Sequence, residues 1–451
     1  MKLSSIIYYL LPITYYFAQV LTSNLPAWAA NREDVERLLA TNSCPRCDLS
    51  GAELAKADLR DANLAEANLK NANLRHAQMQ AANLKGADLS NAKLGVKLKP
   101  KQALEGFKNT GSKTEALLSL RDIETVNALD LVNSFSPQEN AGEVPTNLDI
   151  ADLTGAILVN TDLQGASLNS ANLENIDGRY TNLKGANLVQ ANLKKANLIG
   201  ANISSADLRQ AKLPIANLQA ANLISANLTE ASLELAKFGQ ANLSGANLTK
   251  AYLIETNFKA ATLVGANFTE AVLEAAELNS ANLQRANFQK ANLKDTGFNR
   301  ANLENAQLVD ANLTRAKLAS TKLSNANLTG ANLSFAYLHQ AVLVNANLSG
   351  VYLREAILRE AVLSNVNLVG ANLVEASVTS AQLINADLTY TDLTSADFSY
   401  ANLEKANLSY ANLKSTNFNQ AFLGEVNFTN AELAEAKFKG AIGLDRRSIF
   451  R

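Results

Sequence analysis

The 451-residue sequence is poor in the residues that usually carry chemistry. It has two histidines, two cysteines, two methionines and one tryptophan. Two histidines at separate points cannot supply a histidine cluster for a metal, and two sulfurs alone cannot complete a tetrahedral zinc site. No glycine-rich phosphate loop, nucleophile elbow or zincin motif is present. An excess of one charge is also missing: 41 Lys+Arg stand against 42 Asp+Glu. That balance removes the electrostatic footprint expected of a protein that binds nucleic acid or an anionic membrane. Proline is scarce, at seven residues. Beyond residue 21 no segment is apolar enough to span a bilayer.

The one long apolar run lies at the start. Met1-Lys2 is a short basic lead, Leu3 to Leu21 is apolar apart from scattered polar residues, and Ala27-Trp28-Ala29 offers an A-x-A cleavage site. Residues 1–29 therefore read as a signal peptide, with an uncleaved anchor as the alternative. Export places the mature chain outside the reducing cytoplasm, in a compartment that permits disulfides.

What fills the rest is a five-residue repeat. From Leu148 to Phe438, every fifth residue is Leu or Phe except Gly178, Ile203 and Val378. Two places earlier stands a small residue, nearly always Ala. Between them lies a polar residue, most often Asn. A shorter block runs from Leu49 to Leu94, with Met79 replacing one Leu. On a helix, five residues advance the pattern by about 140°, so no apolar stripe forms. On a short strand the small residue points in, the polar one out and the Leu in again. The other two residues turn a corner, where Gly, Ser and Asn recur. Each strand buries only two side chains, so the units must stack to make a core. Among the unit centres, Phe occurs only at positions ending in 8, on alternate units, which fits a coil of four units with two opposite faces holding Phe ladders.

The run Ala241-Asn242-Leu243-Ser244-Gly245-Ala246-Asn247-Leu248 resembles the A(D/N)LXX consensus of the pentapeptide-repeat family. The resemblance implies an all-β solenoid, a right-handed quadrilateral β-helix with four units per coil. Six segments follow: signal peptide 1–29, helical N-terminal cap 30–46, short repeat block 47–94, insertion 95–145, main repeat block 146–441 and C-terminal cap 442–451. Leu444, Ile449 and Phe450 are expected to close the far end. The two blocks are out of step, since Leu94 and Leu148 are 54 apart, which suggests a reset of register. Within the insertion, Leu117, Leu120, Ile123, Val126 and Leu131 have the spacing of an amphipathic helix near 113–133, led by a lysine-rich stretch. That helix could pack on the solenoid or bind a partner. Gly178 leaves a core slot empty and predicts a bulge or local distortion, with a tolerated defect as the alternative.

Two groups of residues stand out. Cys44 and Cys47 are expected to form a disulfide that pins the cap, with free regulatory thiols or a metal site as alternatives. Tyr337, Val342, Ile357 and Val362 put apolar side chains on outward positions; in a four-unit coil they form a two-by-two patch rimmed by Lys317, Lys322, Ser377 and Gln382. Strand preference of aromatic and β-branched residues is the competing explanation. The sequence thus points to an exported, non-enzymatic binding scaffold or rod with a protein partner and no cofactor. The partner could be a second copy, giving a homodimer; no nucleic acid and no stable membrane insertion after cleavage are expected. The resemblance is to exported cyanobacterial members and implies periplasm or thylakoid lumen. The alternatives are a thiol redox role for the CxxC pair, and DNA mimicry of the kind that binds gyrase, which near-neutral charge and export disfavour.

Overall fold

The structure, a computed structural model, describes residues 30–94 and 145–444. Its backbone is a stack of square coils joined by single parallel β-bridges. Each outward residue pairs with the one 20 positions on, from Ser43↔Asn63 through Asn282↔Asn302 to Phe422↔Ile442. Twenty residues are four units, so each coil has four faces. We label them by their outward columns in chain order: face A holds Asn302, Lys322, Val342 and Val362; face B holds Asn327 and Asn347; face C holds Asn312, Asn332 and Tyr352; face D holds Lys317, Tyr337 and Ile357. At about 4.8 Å per coil the rod is on the order of 80 Å long.

Every backbone N–H of a unit has a destination. In the unit after Arg285, Ala286 donates to Leu283 O across the corner, closing a turn at 3.0 Å. Asn287 donates to Ala266 O in the preceding coil at 2.9 Å, and Phe288 to Gln307 O in the following coil at 2.7 Å. Lys290 donates to Val309 O at 2.9 Å. The remaining N–H, at Gln289, donates to the side-chain Oδ1 of Asn287 at 3.0 Å. The outward Asn thus acts as an Asx turn and satisfies the one backbone donor that the coils leave over. The second corner residue is left-handed throughout, as at Gly245 (φ 64°), Asn345 (φ 58°) and Arg285 (φ 59°). This conformation is why Gly and Asn recur there.

The core is a narrow column of the two inward residues of each unit, Ala and Leu or Phe, nearly all inaccessible to solvent except in the last coil, where Ala431, Leu433 and Phe438 are partly buried. The Phe side chains occupy faces B and D only. Along a face they stack, as in Phe238–Phe258 (4.9 Å) and Phe268–Phe288 (4.7 Å); across the column they meet edge to face, as in Phe258–Phe268 (6.2 Å, 85°). Where Thr replaces Ala, its buried hydroxyl donates to a carbonyl: Thr256 to Leu233 O at 2.8 Å and Thr296 to Leu273 O at 2.8 Å.

Two expectations are corrected. The blocks share one register: Gln78 bridges Asn147 and Lys93 bridges Asp162, so the faces run on unbroken. Residues 95–145 stand where other units have a two-residue corner. The re-entry point is Thr146, buried, whose hydroxyl bonds the carbonyls of Leu74 and Leu94 and accepts the N–H of His76. Gly178 makes no bulge either. Its bridges at Asp177 persist, and Gly178 N–H donates to Asn197 O at 2.8 Å. Its slot is already filled: an added Cβ would lie 2.9 Å from Leu198 Cδ2 and 3.3 Å from Ile176 Cδ1. Ile176 occupies the position that is normally Ala, so this unit exchanges its large and small inward residues.

The N-terminal cap is helix α1, Arg32–Thr41. Asn31 caps it by accepting Glu33 N–H at 3.1 Å, and Glu33 and Asp34 place negative charge in the first turn. Asn42 ends it in the left-handed conformation, donating to Leu38 O. Leu38 is fully buried against the first coil. Asp34 ties helix to coil by accepting Asp48 N–H at 2.8 Å. At the far end Leu444 packs partly buried against the core. Ile449, Phe450, the leader 1–29 and the helix expected at 113–133 lie outside the described residues.

Candidate functional site

The first candidate group sits at the first corner of the rod. The bridge Ser43↔Asn63 shows that Asn42-Ser43-Cys44 is itself a unit, one earlier than the repeat is visible in sequence. Cys44 takes the Leu slot and Cys47 the next Ala slot, so both point inward across one corner and are buried. Their sulfurs stand 1.92 Å apart, with Cα atoms 5.5 Å apart. Cys44 Sγ also lies 3.2 Å from Asp34 O. The Asp34 carboxylate comes within 4.8 Å of both sulfurs. Its oxygens are already committed to Arg37 and to Asp48 N–H, and joined sulfurs are not thiolate ligands. This geometry closes the first corner of the coil just beyond α1, while the helix itself is held to the coil by Asp34 and by Asn31 N–H on Asp48 O.

The second group is the apolar patch. Bridges Tyr337↔Ile357 and Val342↔Val362 place the four residues as two adjacent columns on faces D and A. Lys317 and Lys322 precede them, and Ser377 and Gln382 follow, as the repeat arithmetic required. Tyr337 is 49% exposed and Ile357 37%, whereas the two valines are half-buried. The structure adds Phe335, 42% exposed at the corner just before Tyr337. Sequence reasoning passed over it because corners were taken as polar turn positions. Gln340 and Glu360 cover the corner between the two columns, with Gln340 Nε2 donating to Glu360 at 2.9 Å. That hydrogen bond, together with Arg359 nearby, holds the Glu360 carboxyl below its usual range.

Elsewhere surface charges pair either within a unit, as Arg209 with Asp207, or one coil apart. Arg315 forms two bonds to Asp295, Arg46 reaches Glu66 at 2.7 Å, and Lys294 reaches Glu274 at 2.7 Å. Hydrogen bonds from Arg315 and Arg46 lower the pKa of Asp295 and of Glu66. Such exposed pairs are worth little individually. Both histidines lie on corners; His339 Nδ1 is 3.1 Å from Arg359 O. No helix among the described residues is long and apolar enough to cross a membrane.

With this register in view, sequence comparison is decisive. Models of pentapeptide repeats (8 copies) match residues 44–80, 57–95, 146–177, 179–213, 297–334, 306–345, 346–381, 379–409 and 406–442. The pentapeptide repeat region model matches 231–308. The chain belongs to the pentapeptide-repeat family. Among solved structures it is similar to HetL, a pentapeptide-repeat protein involved in heterocyst differentiation regulation from the cyanobacterium Nostoc sp. strain PCC 7120, at 30% identity over 58% of this chain and 90% of that one, with a TM-score of 0.25. Full-length QnrB1, a plasmid-mediated fluoroquinolone resistance protein, is 19% identical over 43% of this chain and 95% of its own, with a TM-score of 0.30. A pentapeptide-repeat protein of the Arabidopsis thaliana thylakoid lumen is 33% identical over 23% and 68%, with a TM-score of 0.18. No curated protein matches the chain.

Proposed function

We propose that this pentapeptide-repeat protein is an exported, non-enzymatic rod, wound in the right-handed sense, that holds a protein partner at the patch of Tyr337, Val342, Ile357 and Val362. One observation carries the reading. Where the outward residue is Asn or Asp it commonly caps a backbone N–H two places on, as Asn347 does for Ser349 at 3.1 Å. Four neighbouring positions of the patch give that acceptor up for apolar side chains. A backbone hydrogen bond is worth about 0.5–1.5 kcal/mol, so the exchange weakens the rod locally in four adjoining units. Apolar outward residues also occur elsewhere, at most as bridged pairs such as Tyr252↔Val272 and Phe422↔Ile442; here four adjoin, with exposed Phe335 beside them. Four side chains cover less than a standard interface of about 800 Å² per partner, so the contact must extend past them.

The experiment compares the mature rod with a Val342→Asn/Val362→Asn double variant, each immobilised in the host's exported compartment. The reading expects a protein retained by the wild type and lost from the variant while both keep the same circular dichroism spectrum. A change of sedimentation in the variant alone would identify that partner as a second copy. Equal retention and equal sedimentation would leave the patch as strand chemistry.

The reading includes cleavage next to Ala29 and a Cys44–Cys47 disulfide. Intact mass from the host should show a chain beginning near Ala30, and unreduced protein should resist thiol labelling. A full-length membrane-extracted species would overturn export. Ready labelling of both cysteines would revive the redox alternative.

A further inference from the structure

On the side of the rod opposite the patch, the corner between faces B and C runs Asp310, Gly330, Gly350, Gly370, Tyr390 and Tyr410, one residue per coil. An open groove of about 340 Å³, with Gly330 in its lining, lies beside that corner and across face C, and the Asp310 carboxylate reaches over Gly330, its Oδ1 2.7 Å from where a Cβ would stand. Its lining includes Asp310, Asn312, Thr314, Asn332, Ser334 and Tyr352. Beyond Gly350 and Gly370 the corner stays open, since an added Cβ would meet nothing within 4 Å. The stacked rings of Tyr390 and Tyr410, 4.9 Å apart, rise on the same corner past Gly370.

Hydrogen bonding in the groove leaves several groups open, as at other outward asparagines such as Asn282 and Asn287, which also use only Oδ1. Asn312 is saturated: its Oδ1 takes the N–H and hydroxyl of Thr314, and its Nδ2 donates to Asn292. Asn332 uses only Oδ1, on Ser334 N–H at 3.0 Å, and its Nδ2 has no partner among the described residues. The Asp310 carboxylate, the Ser334 hydroxyl and the Tyr352 hydroxyl are also without hydrogen-bond partners among the described residues. Tyr352 is 55% exposed, an aromatic face standing in a field of amides and hydroxyls.

The chemistry selects a ligand class. No Lys or Arg lines the groove and Asp310 is its one charge, which disfavours phosphate- or carboxylate-bearing ligands. Nearly every lining side chain can form hydrogen bonds, which disfavours an apolar ligand. A shallow groove with one exposed aromatic, a carboxylate, an amide and a hydroxyl suits a ring with C–H groups on its faces and hydroxyls on its rim. We propose that the groove binds an uncharged oligosaccharide, one sugar ring lying on Tyr352 and its hydroxyls meeting Asp310, Asn332 and Ser334. This site is independent of the protein-docking patch.

The rod contains its own control. Tyr252 stands on the same face C, 50% exposed, but its corner is filled by Lys250, paired with Glu270. The test titrates the full mature chain with cellohexaose, chitohexaose, laminarihexaose and maltohexaose, read by saturation-transfer NMR, with hexagalacturonate as the anionic comparison. At least one neutral hexaose should bind with a Kd on the order of 1 mM or tighter. Tyr352→Ala should weaken it about tenfold, and Tyr252→Ala should not change it. Gly350→Asn should also weaken it without unfolding, since Asn already takes the same left-handed corner conformation at Asn345 (φ 58°). The proposal fails if no neutral hexaose binds, if hexagalacturonate binds as well as they do, or if Tyr352→Ala binds as wild type.

Discussion

Asn287 is polar, outward and half-buried, and from sequence it reads only as the solvent side of a strand. Its actual work is on its own backbone two residues later, which becomes visible only when the left-handed corner is known. The same role at Asn282, on Gln284 N–H at 3.3 Å, sets the scale of two substitutions. Asn282→Lys should lower stability by about 0.5–1.5 kcal/mol. Leu283→Lys, one residue on and fully buried, should cost more than about 4 kcal/mol, because it puts an unpaired charge in a dry column. Comparable melting temperatures for the two variants would contradict the inward–outward register. The Asx argument also gives the patch a stability signature. Val342→Asn and Val362→Asn restore a cap for the N–H of Val344 and of Ser364, so each should raise stability by up to about 1 kcal/mol. A rise in chemical-denaturation midpoint together with loss of partner would show stability exchanged for contact. A fall in midpoint would mean that the valines serve packing.

At the scale of one unit, inward residues answer to summed volume more than to position. The Phe ladders were legible because numbering alone put every Phe at a unit centre on alternate units, and the stacks at Phe238–Phe258 and Phe418–Phe438 follow from that. Gly178 was misread because its unit was judged by the centre alone. The compensating residue, Ile176, lies two places earlier, in a slot treated as uniformly small. Leu198 of the next coil also leans into the space. A volume account predicts strong coupling between the two sites. Ile176→Ala alone should cost about 2–5 kcal/mol through the cavity it opens. Gly178→Leu alone should overpack the slot and cost about 1–3 kcal/mol. The double variant restores the Ala-then-Leu pattern of the other units and should lie near wild type. Equal sums for the double and single variants in urea titrations would refute the compensation. The N-terminal cap at 30–46 was read as helical, and α1 covers Arg32–Thr41 of it. That Asp34 would carry its docking was not legible, because a carboxylate reaching a coil amide leaves no periodic trace.

For the molecule as a whole, the sequence suggests two blocks and the structure shows one rod. The 54-residue spacing between Leu94 and Leu148 hides the continuity, because a corner can hold any length of chain while the faces keep step. Bridges Gln78↔Asn147 and Lys93↔Asp162 span the junction in the same geometry as those elsewhere. Thr146 bonds Leu74 O and Leu94 O, so the re-entry is made by a residue of the coil. If the coils carry the junction, residues 95–145 are dispensable to the rod. Replacing them by the two-residue corner Ser-Gly, as at Ser244-Gly245, should give a shorter chain with the same coil-to-coil register. Loop closure costs about 0.6 kcal/mol per doubling of loop length, and the replacement shortens the loop more than tenfold. The shortened protein should therefore melt at or slightly above the wild-type temperature, in one transition. Two transitions, or selective loss of protection in amide exchange over 44–94, would show that the insertion holds the first coils to the rest. An unchanged rod that no longer retains the wild type's partner would instead assign the insertion to recognition.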